Sequence, residues 1–199
     1  MLGFAPIFSG RGYIFLAVDS RAHGRSGGDL VTYGVLEQTD VLRWADWLRD
    51  RGCTRLYGLG ESMGGPILIQ AAARQHVFDA IVAECPFSEL RVIAKERVVQ
   101  WSFGPQWMRG ALAVVLVSSG FTYARVRYGL NLDDAAPVRS ARQLKTPLLL
   151  VHGLEDRNIS PDHSQAIAAA NRNVALWLVP GAGHTAASAV EPVEFDKRV

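Results

Sequence analysis

A serine flanked by glycines stands where an apolar run gives way to a helical pattern. Gly60-Glu61-Ser62-Met63-Gly64 matches G-x-S-x-G, with RLYGL before it and GPILIQAAA after it. In such a turn the serine hydroxyl is exposed in a strained conformation, and the glycines avoid clashes. The following helix directs its N-terminus at the reacting oxygen, which favours developing negative charge. The sequence therefore predicts that Ser62 is a nucleophile.

A nucleophilic serine needs a base, and the base needs a carboxylate that orients it. His184 lies in GAGH directly after one apolar run, and Asp156 lies in HGLED directly after the preceding run. Because the carboxyl ends of parallel strands share one edge of a sheet, we expect all three side chains to meet there. The chain order Ser62, Asp156, His184 is one of the known orders for such a triad.

Other histidines could serve as the base, and their contexts favour structural roles. They are His23, His76, His152 and His163. The first lies in a tight Gly/Ser/Arg turn, and the second ends a helix, where a cation or cap is common. The third ends a strand as a packed, hydrogen-bonded residue, and the fourth is expected at the surface where a helix opens.

The alternatives for the acid are Glu155 and Asp162, neighbours of Asp156, which has the better position after its strand. Glu61, beside the predicted nucleophile, is interpreted as a side chain bonded within the turn, with contact to substrate as the other interpretation.

Short apolar runs alternate with helical patterns along the chain, which predicts an α/β fold. The predicted strands are residues 13–18, 55–59, 80–84, 146–151 and 175–179, and the predicted helices include 41–48, 64–76 and 161–170. Continuous apolar strands separated by helices indicate a mostly parallel sheet that is covered by helices on both faces.

Residues 89–145 interrupt this alternation after the third predicted strand. The segment has helical patterning and carries the aromatic residues Trp101, Phe103, Trp107, Phe121, Tyr123 and Tyr128. An insertion at the carboxyl end of a strand would lie over the site as a cap, or would simply be packing helices. We expect three parts: residues 1–88 with the nucleophile turn, 89–145 as a helical cap, and 146–199 with the acid and histidine loops.

Composition fits an ordinary globular domain of 199 residues with a net charge of +2. That balance gives no whole-chain electrostatic reason to expect nucleic acid or an anionic membrane as partner. No segment reaches the roughly 18 apolar residues of a membrane span, and no signal peptide is evident. The two cysteines, Cys53 and Cys85, are interpreted as buried thiols of a reducing compartment, so the expected location is cytoplasmic.

The segments DSRAHGRSGGD, GESMGG, LLLVHGLED and VPGAGH resemble the α/β-hydrolase superfamily, over residues 12–199. The resemblance is closest to small bacterial hydrolases described as prolyl-oligopeptidase-like or serine-aminopeptidase-like. It implies Ser62 as nucleophile, Asp156 as acid and His184 as base. It also implies that the Met63 backbone N–H donates to the oxyanion.

The family places three more strands before residue 13 and takes a second oxyanion donor from the loop after the third of them, which usually begins His-Gly. No such loop stands before residue 13 in this sequence. We therefore expect an N-terminally truncated α/β-hydrolase fold, with a sheet closing up around five strands as the alternative. Losing one oxyanion donor typically lowers kcat by about 10²–10³-fold.

The expected function is a serine hydrolase that works by acyl transfer without metal or organic cofactor. The aromatic insertion favours a small-molecule ester or thioester with an apolar acyl group as substrate. The alternatives are a serine peptidase of the prolyl-oligopeptidase-like type and a truncated, non-catalytic hydrolase-fold protein that binds an apolar ligand or partner.

Overall fold

Four of the predicted strands form one parallel sheet. The computed structural model describes residues 2–199, so residue 1, the first of the predicted N-terminal part, lies outside the described residues. The strands are β1 (Tyr57–Glu61), β2 (Ala80–Glu84), β3 (Leu148–Gly153) and β4 (Val174–Val179). Each strand pairs in parallel with the next, in the order β1-β2-β3-β4. Their carboxyl ends therefore lie along one edge, as the sequence predicts.

Helices connect the strands and flank the sheet. The helices are α1 (Ala5–Ser9), α2 (Glu37–Arg49), α3 (Gly64–Arg74), α4 (Leu90–Trp101), α5 (Gln106–Tyr128), α6 (Pro137–Ala141), α7 (Asp162–Ala170), α8 (Ala187–Val190) and α9 (Pro192–Arg198). In the described part of the chain, no helix has the length and hydropathy that crossing a bilayer requires.

Alternating residues of the strands build two cores. Leu148 and Leu150 of β3 face a cluster that α2, α3, α6 and α7 cover. Val151 of the same strand, with its partly buried neighbour Leu149, faces a second cluster under α1, α8 and α9. Because side chains of a strand alternate between faces, the continuous apolar run of β3 is what a sheet covered on both sides requires.

The segment between β2 and β3 is helical, and α4 and α5 form a hairpin within it. A third cluster joins the hairpin to the sheet edge through Phe87, Leu90, Ile93, Val117, Phe121 and Ile159. The helices are as the sequence predicts, while the role of residues 89–145 as a cap stays a prediction.

Residues 13–18 lie outside any strand, so the prediction of a strand there is wrong, and so is a sheet of five strands. A strand exists only where a neighbour exchanges backbone hydrogen bonds with it. Among the described residues β1 pairs only with β2, and a cavity of about 900 Å³ opens between residues 16–19 and Leu59. Most apolar side chains of this stretch are consequently exposed, Ile14 to 82%, while Phe15 is half-buried and packs against the cluster under α1.

Removing side-chain volume from the centre of the sheet should destabilise the protein. Leu150 is fully buried, so Leu150→Ala should lower the free energy of unfolding by about 2–5 kcal/mol. The matched control is Leu116→Ala on α5, where the side chain is 52% exposed and the change should stay within about 0.5 kcal/mol. Urea unfolding measures both, and equal effects would contradict this description of the core.

Candidate active site

Ser62 occupies the sharp turn between β1 and α3. Its φ is +49°, a left-handed conformation that is strained for a residue with a side chain. Its backbone N–H donates to the Glu84 carbonyl of β2 at 2.8 Å, which ties the turn to the neighbouring strand. The turn therefore has the strained geometry that the motif predicts.

Two glycines make this turn possible by allowing close backbone approach. A Cβ on Gly60 would lie 2.4 Å from the carbonyl carbon of Gly64, and a Cβ on Gly65 would lie 3.0 Å from the side-chain Cβ of Ala83. A Cβ on Gly64 would meet nothing within 4 Å. The expected steric requirement at Gly64 is therefore wrong, since Gly65 has the crowded position instead.

The three predicted residues form one hydrogen-bonded chain. Ser62 follows β1, Asp156 lies in the loop after β3, and His184 lies in the loop after β4. The Ser62 hydroxyl and His184 Nε2 are 3.0 Å apart, and His184 Nδ1 is 2.7 Å from Asp156 Oδ2. Because a carboxylate only accepts, Nδ1 carries the proton and Nε2 accepts from the hydroxyl. This is the arrangement in which an imidazole removes a proton from a serine.

Asp156 is held by more donors than His184 alone. Its side chain is fully buried, and Oδ1 accepts from the backbone N–H groups of Asn158 at 2.8 Å and Ile159 at 3.0 Å. His152 Nε2 lies 3.3 Å from Oδ2. Burial alone would raise the pKa of this carboxyl, but the hydrogen bonds from His152, His184, Ile159 and Cys85 outweigh it and hold the pKa far below its usual range.

Sequence reasoning missed the part that His152 plays beside Asp156. Its Nε2 donates to the Ile159 carbonyl at 2.9 Å, so its Nδ1 accepts from the Ser164 hydroxyl at 2.7 Å. The ring is thereby fixed with its N–H edge against the acid loop. The only local signal was its place at the end of a strand, four residues before the acid.

Two further buried groups lie next to the chain of three. Cys85 Sγ accepts from the Thr185 N–H at 3.4 Å, and burial raises the pKa of its thiol to about 12. Glu84 accepts from the Ala187 N–H at 3.0 Å, and burial raises its pKa as well. The sequence predicted Cys85 to be a buried thiol but placed neither residue at the site, because their positions beneath it depend on contacts about 100 residues away.

The other three competing histidines lie elsewhere. His23 bonds the Arg21 carbonyl, and His76 bonds the Thr146 hydroxyl. His163 is buried, so the prediction that it lies at the surface is wrong. Its Nδ1 accepts from Ser88 at 2.8 Å and its Nε2 donates to Glu96 at 3.0 Å, so both ring nitrogens have partners in the buried position.

The competing acids, Glu155 and Asp162, are exposed. Met63, the predicted oxyanion donor, directly precedes α3, where backbone N–H groups have no partner within the helix.

Within residues 2–199, one group of side chains has the donor types of a metal site. Donor atoms of Cys85, Asp156 and His184 lie within 4.8 Å of one another. The carboxylate and the imidazole already share the hydrogen bond described above, and Cys85 Sγ accepts from the Thr185 N–H. The arrangement therefore suits proton transfer better than metal binding.

A cavity of about 900 Å³ touches Ser62 and Met63. Its apolar lining comes from Leu16, Val18, Trp44, Trp47, Leu59 and Ile67, which belong to residues 16–28, α2, β1 and α3. Residues 89–145 do not line it. The apolar surface beside the serine therefore has a different origin from the aromatic insertion expected to supply it.

Comparison with known proteins gives matches over almost the whole chain. The profile of the prolyl oligopeptidase family matches residues 4–198. The uncharacterized protein YqkD of Bacillus subtilis is 25% identical over 194 residues, covering 92% of this chain and 59% of the relative. The chain thus spans less than two thirds of this relative's length.

Solved structures match as well. The esterase Pf2001 of Pyrococcus furiosus is 26% identical with a TM-score of 0.72, over 100% of this chain and 72% of the esterase. A puromycin-hydrolyzing peptidase of Mycobacterium tuberculosis is 25% identical with a TM-score of 0.56, over 77% of this chain and 22% of the peptidase. An acylaminoacyl peptidase of Pyrococcus horikoshii is 20% identical with a TM-score of 0.59, over 84% of this chain and 27% of the peptidase. The expected α/β-hydrolase fold is confirmed.

The lowered pKa of Asp156 predicts how stability depends on pH. The ionised carboxylate stabilises the folded state above its unfolded pKa of about 3.9, and this contribution is lost as pH falls toward the lower folded pKa. Asp156→Asn should therefore cost about 2 kcal/mol at pH 7 and less at about pH 3. Urea unfolding at both pH values measures the gap, and Asp46→Asn, exposed on α2, is the control for removing one charge. A gap that is the same at both pH values would contradict the hydrogen bonding assigned to Asp156.

Proposed function

The chain belongs to the prolyl oligopeptidase family, and we propose that it is a serine hydrolase that acts by acyl transfer through Ser62, His184 and Asp156. The observation that carries the proposal is the continuous hydrogen-bonded chain of 3.0 Å and 2.7 Å from the serine hydroxyl to a buried carboxylate. A serine in an ordinary turn has no need of a base that is itself oriented by a charge.

The proposed reaction follows from the proton positions in this chain. Ser62 Oγ attacks the carbonyl carbon of the substrate while His184 Nε2 takes the hydroxyl proton. Asp156 stabilises the imidazolium that forms and keeps the ring in place. His184 then gives the proton to the leaving group, and water releases the acyl group by the same steps. The Met63 N–H, at the start of α3, donates to the oxyanion.

A carboxylic ester or thioester with an apolar acyl group is the proposed substrate class. Two observations support it: the apolar lining of the cavity next to Ser62, and the similarity to an esterase over the whole chain. A serine peptidase is the second candidate, favoured by the family itself and by the similarity to the Mycobacterium tuberculosis peptidase.

Labelling by a fluorophosphonate probe tests whether Ser62 is an activated nucleophile. The folded protein should react, and Ser62→Ala should abolish labelling and lower ester hydrolysis by at least about 10³-fold. Ser119→Ala, which removes an exposed hydroxyl on α5, should leave both unchanged. A folded wild-type protein that is not labelled would refute the proposed activity and leave a hydrolase-fold binding protein.

Substrate class is tested by comparing p-nitrophenyl esters of increasing acyl length with aminoacyl p-nitroanilides. We expect kcat/KM to rise by about tenfold or more from the acetyl ester to the preferred longer-chain ester, since an apolar cavity favours the acyl chain. The Ser62→Ala protein sets the background rate for each substrate. Faster cleavage of the anilides would favour the peptidase.

A further inference from the structure

The connection between α4 and α5 exposes several large apolar side chains. Trp101 is 72% exposed, Phe103 94%, Trp107 76% and Met108 42%. We call these four residues the hairpin tip. Isolated exposed apolar residues are ordinary, but a contiguous group of aromatic residues marks a surface that contacts another apolar phase or a partner.

The exposed apolar surface continues from the tip along α5. Met108, Leu112 and Val115 follow the i, i+4, i+7 spacing of one helix face, and the latter two are 41% and 61% exposed. A different face of the same helix is buried through Ala113 and Val117. The hairpin therefore has an inner apolar face packed on the protein and an outer one exposed along the helix.

Positive charge accompanies this surface without any negative charge. Residues 97–132 contain four arginines, at positions 97, 109, 125 and 127, and no aspartate or glutamate. The acids at either end are already engaged, since Glu96 bonds His163 and Asp133 pairs with Arg91. The small net charge of the whole chain thus conceals a segment in which all the charge is positive.

This combination identifies the chemistry of the partner. A symmetric contact with a second copy would bring the same surface against itself, and the arginines would find no opposite charge there. Helices with exposed aromatic and aliphatic side chains and flanking arginines bind the interface of anionic lipid bilayers, where both features are favourable. Helices of this amphipathic kind lie in the plane of the interface.

We propose that the α4–α5 hairpin docks on an anionic lipid surface, with the hairpin tip inserted among the headgroups and α5 lying along the interface. The docking surface shares no residue with the cavity at Ser62, and the proposal does not depend on the proposed function. Probe labelling of Ser62 and lipid binding can therefore fail separately.

Vesicle flotation tests the proposal with the full chain. The protein should float with vesicles of phosphatidylcholine mixed with an equal amount of phosphatidylglycerol, and about tenfold less with phosphatidylcholine alone. Added salt should weaken the binding, because it screens the arginines. The tryptophan emission should shift to shorter wavelength as the tip leaves water.

The double variant Phe103→Ser/Trp107→Ser should lower the bound fraction by about tenfold or more, while its thermal unfolding stays close to wild type because both side chains are exposed. Val193→Ser, 82% exposed on α9, is the matched control and should bind like wild type. Equal binding by the double variant would overturn the proposal. So would wild-type protein that ignores vesicles but forms a dimer that the double variant lacks, since the surface would then join two copies of the chain.

Discussion

The buried carboxylate of Asp156 is the interaction on which the geometry of the site depends. An ionised carboxylate without exposed surface is stable only when donors surround it. His184 supplies one from the loop after β4, the acid loop supplies the N–H groups of Asn158 and Ile159, and His152 reaches it from the end of β3. Meeting this requirement fixes the loops relative to one another. The hydrogen bond from His184 to the Asp156 carboxylate therefore sets the position of the imidazole beside Ser62.

The same edge of the sheet holds strained backbone. Ser62, Cys85 and Thr185 have φ values of +49°, +50° and +51°, and such conformations cost about 1–3 kcal/mol each for residues with side chains. Each is tied to a neighbouring segment: Ser62 N–H to the Glu84 carbonyl, Cys85 N–H to the Val151 carbonyl, and Thr185 N–H to Cys85 Sγ. These bonds hold the strained residues to the ends of β2 and β3. The packed cores on both faces of the sheet therefore offset the free-energy cost of the strained backbone.

The sequence was informative where a function depends on the place of a residue along a strand. Ser62, Asp156 and His184 could be placed together because each follows an apolar run, and parallel strands end at one edge. Residues 13–18 show the limit, since an apolar run carries a preference for extended structure but does not supply the neighbour that a strand needs. The burial of His163 was equally out of reach, because its partners Ser88 and Glu96 are 75 and 67 residues away.

The whole-chain charge of +2 does not show that residues 97–132 carry arginines and no acidic residue. This local excess of positive charge becomes informative once the structure places these residues in the α4–α5 hairpin. That hairpin is fastened to the sheet by the hydrogen bonds of His163 to Ser88 and Glu96, and by a cluster that includes Phe121 and Ile159. Ile159 also donates its N–H to Asp156 and accepts from His152 through its carbonyl. One residue thus belongs both to the packing under the hairpin and to the hydrogen bonding of the acid loop. Packed side chains thus join the hairpin to the acid loop. A lipid surface that bound the hairpin would therefore also set the orientation of the sheet edge at which Ser62 lies.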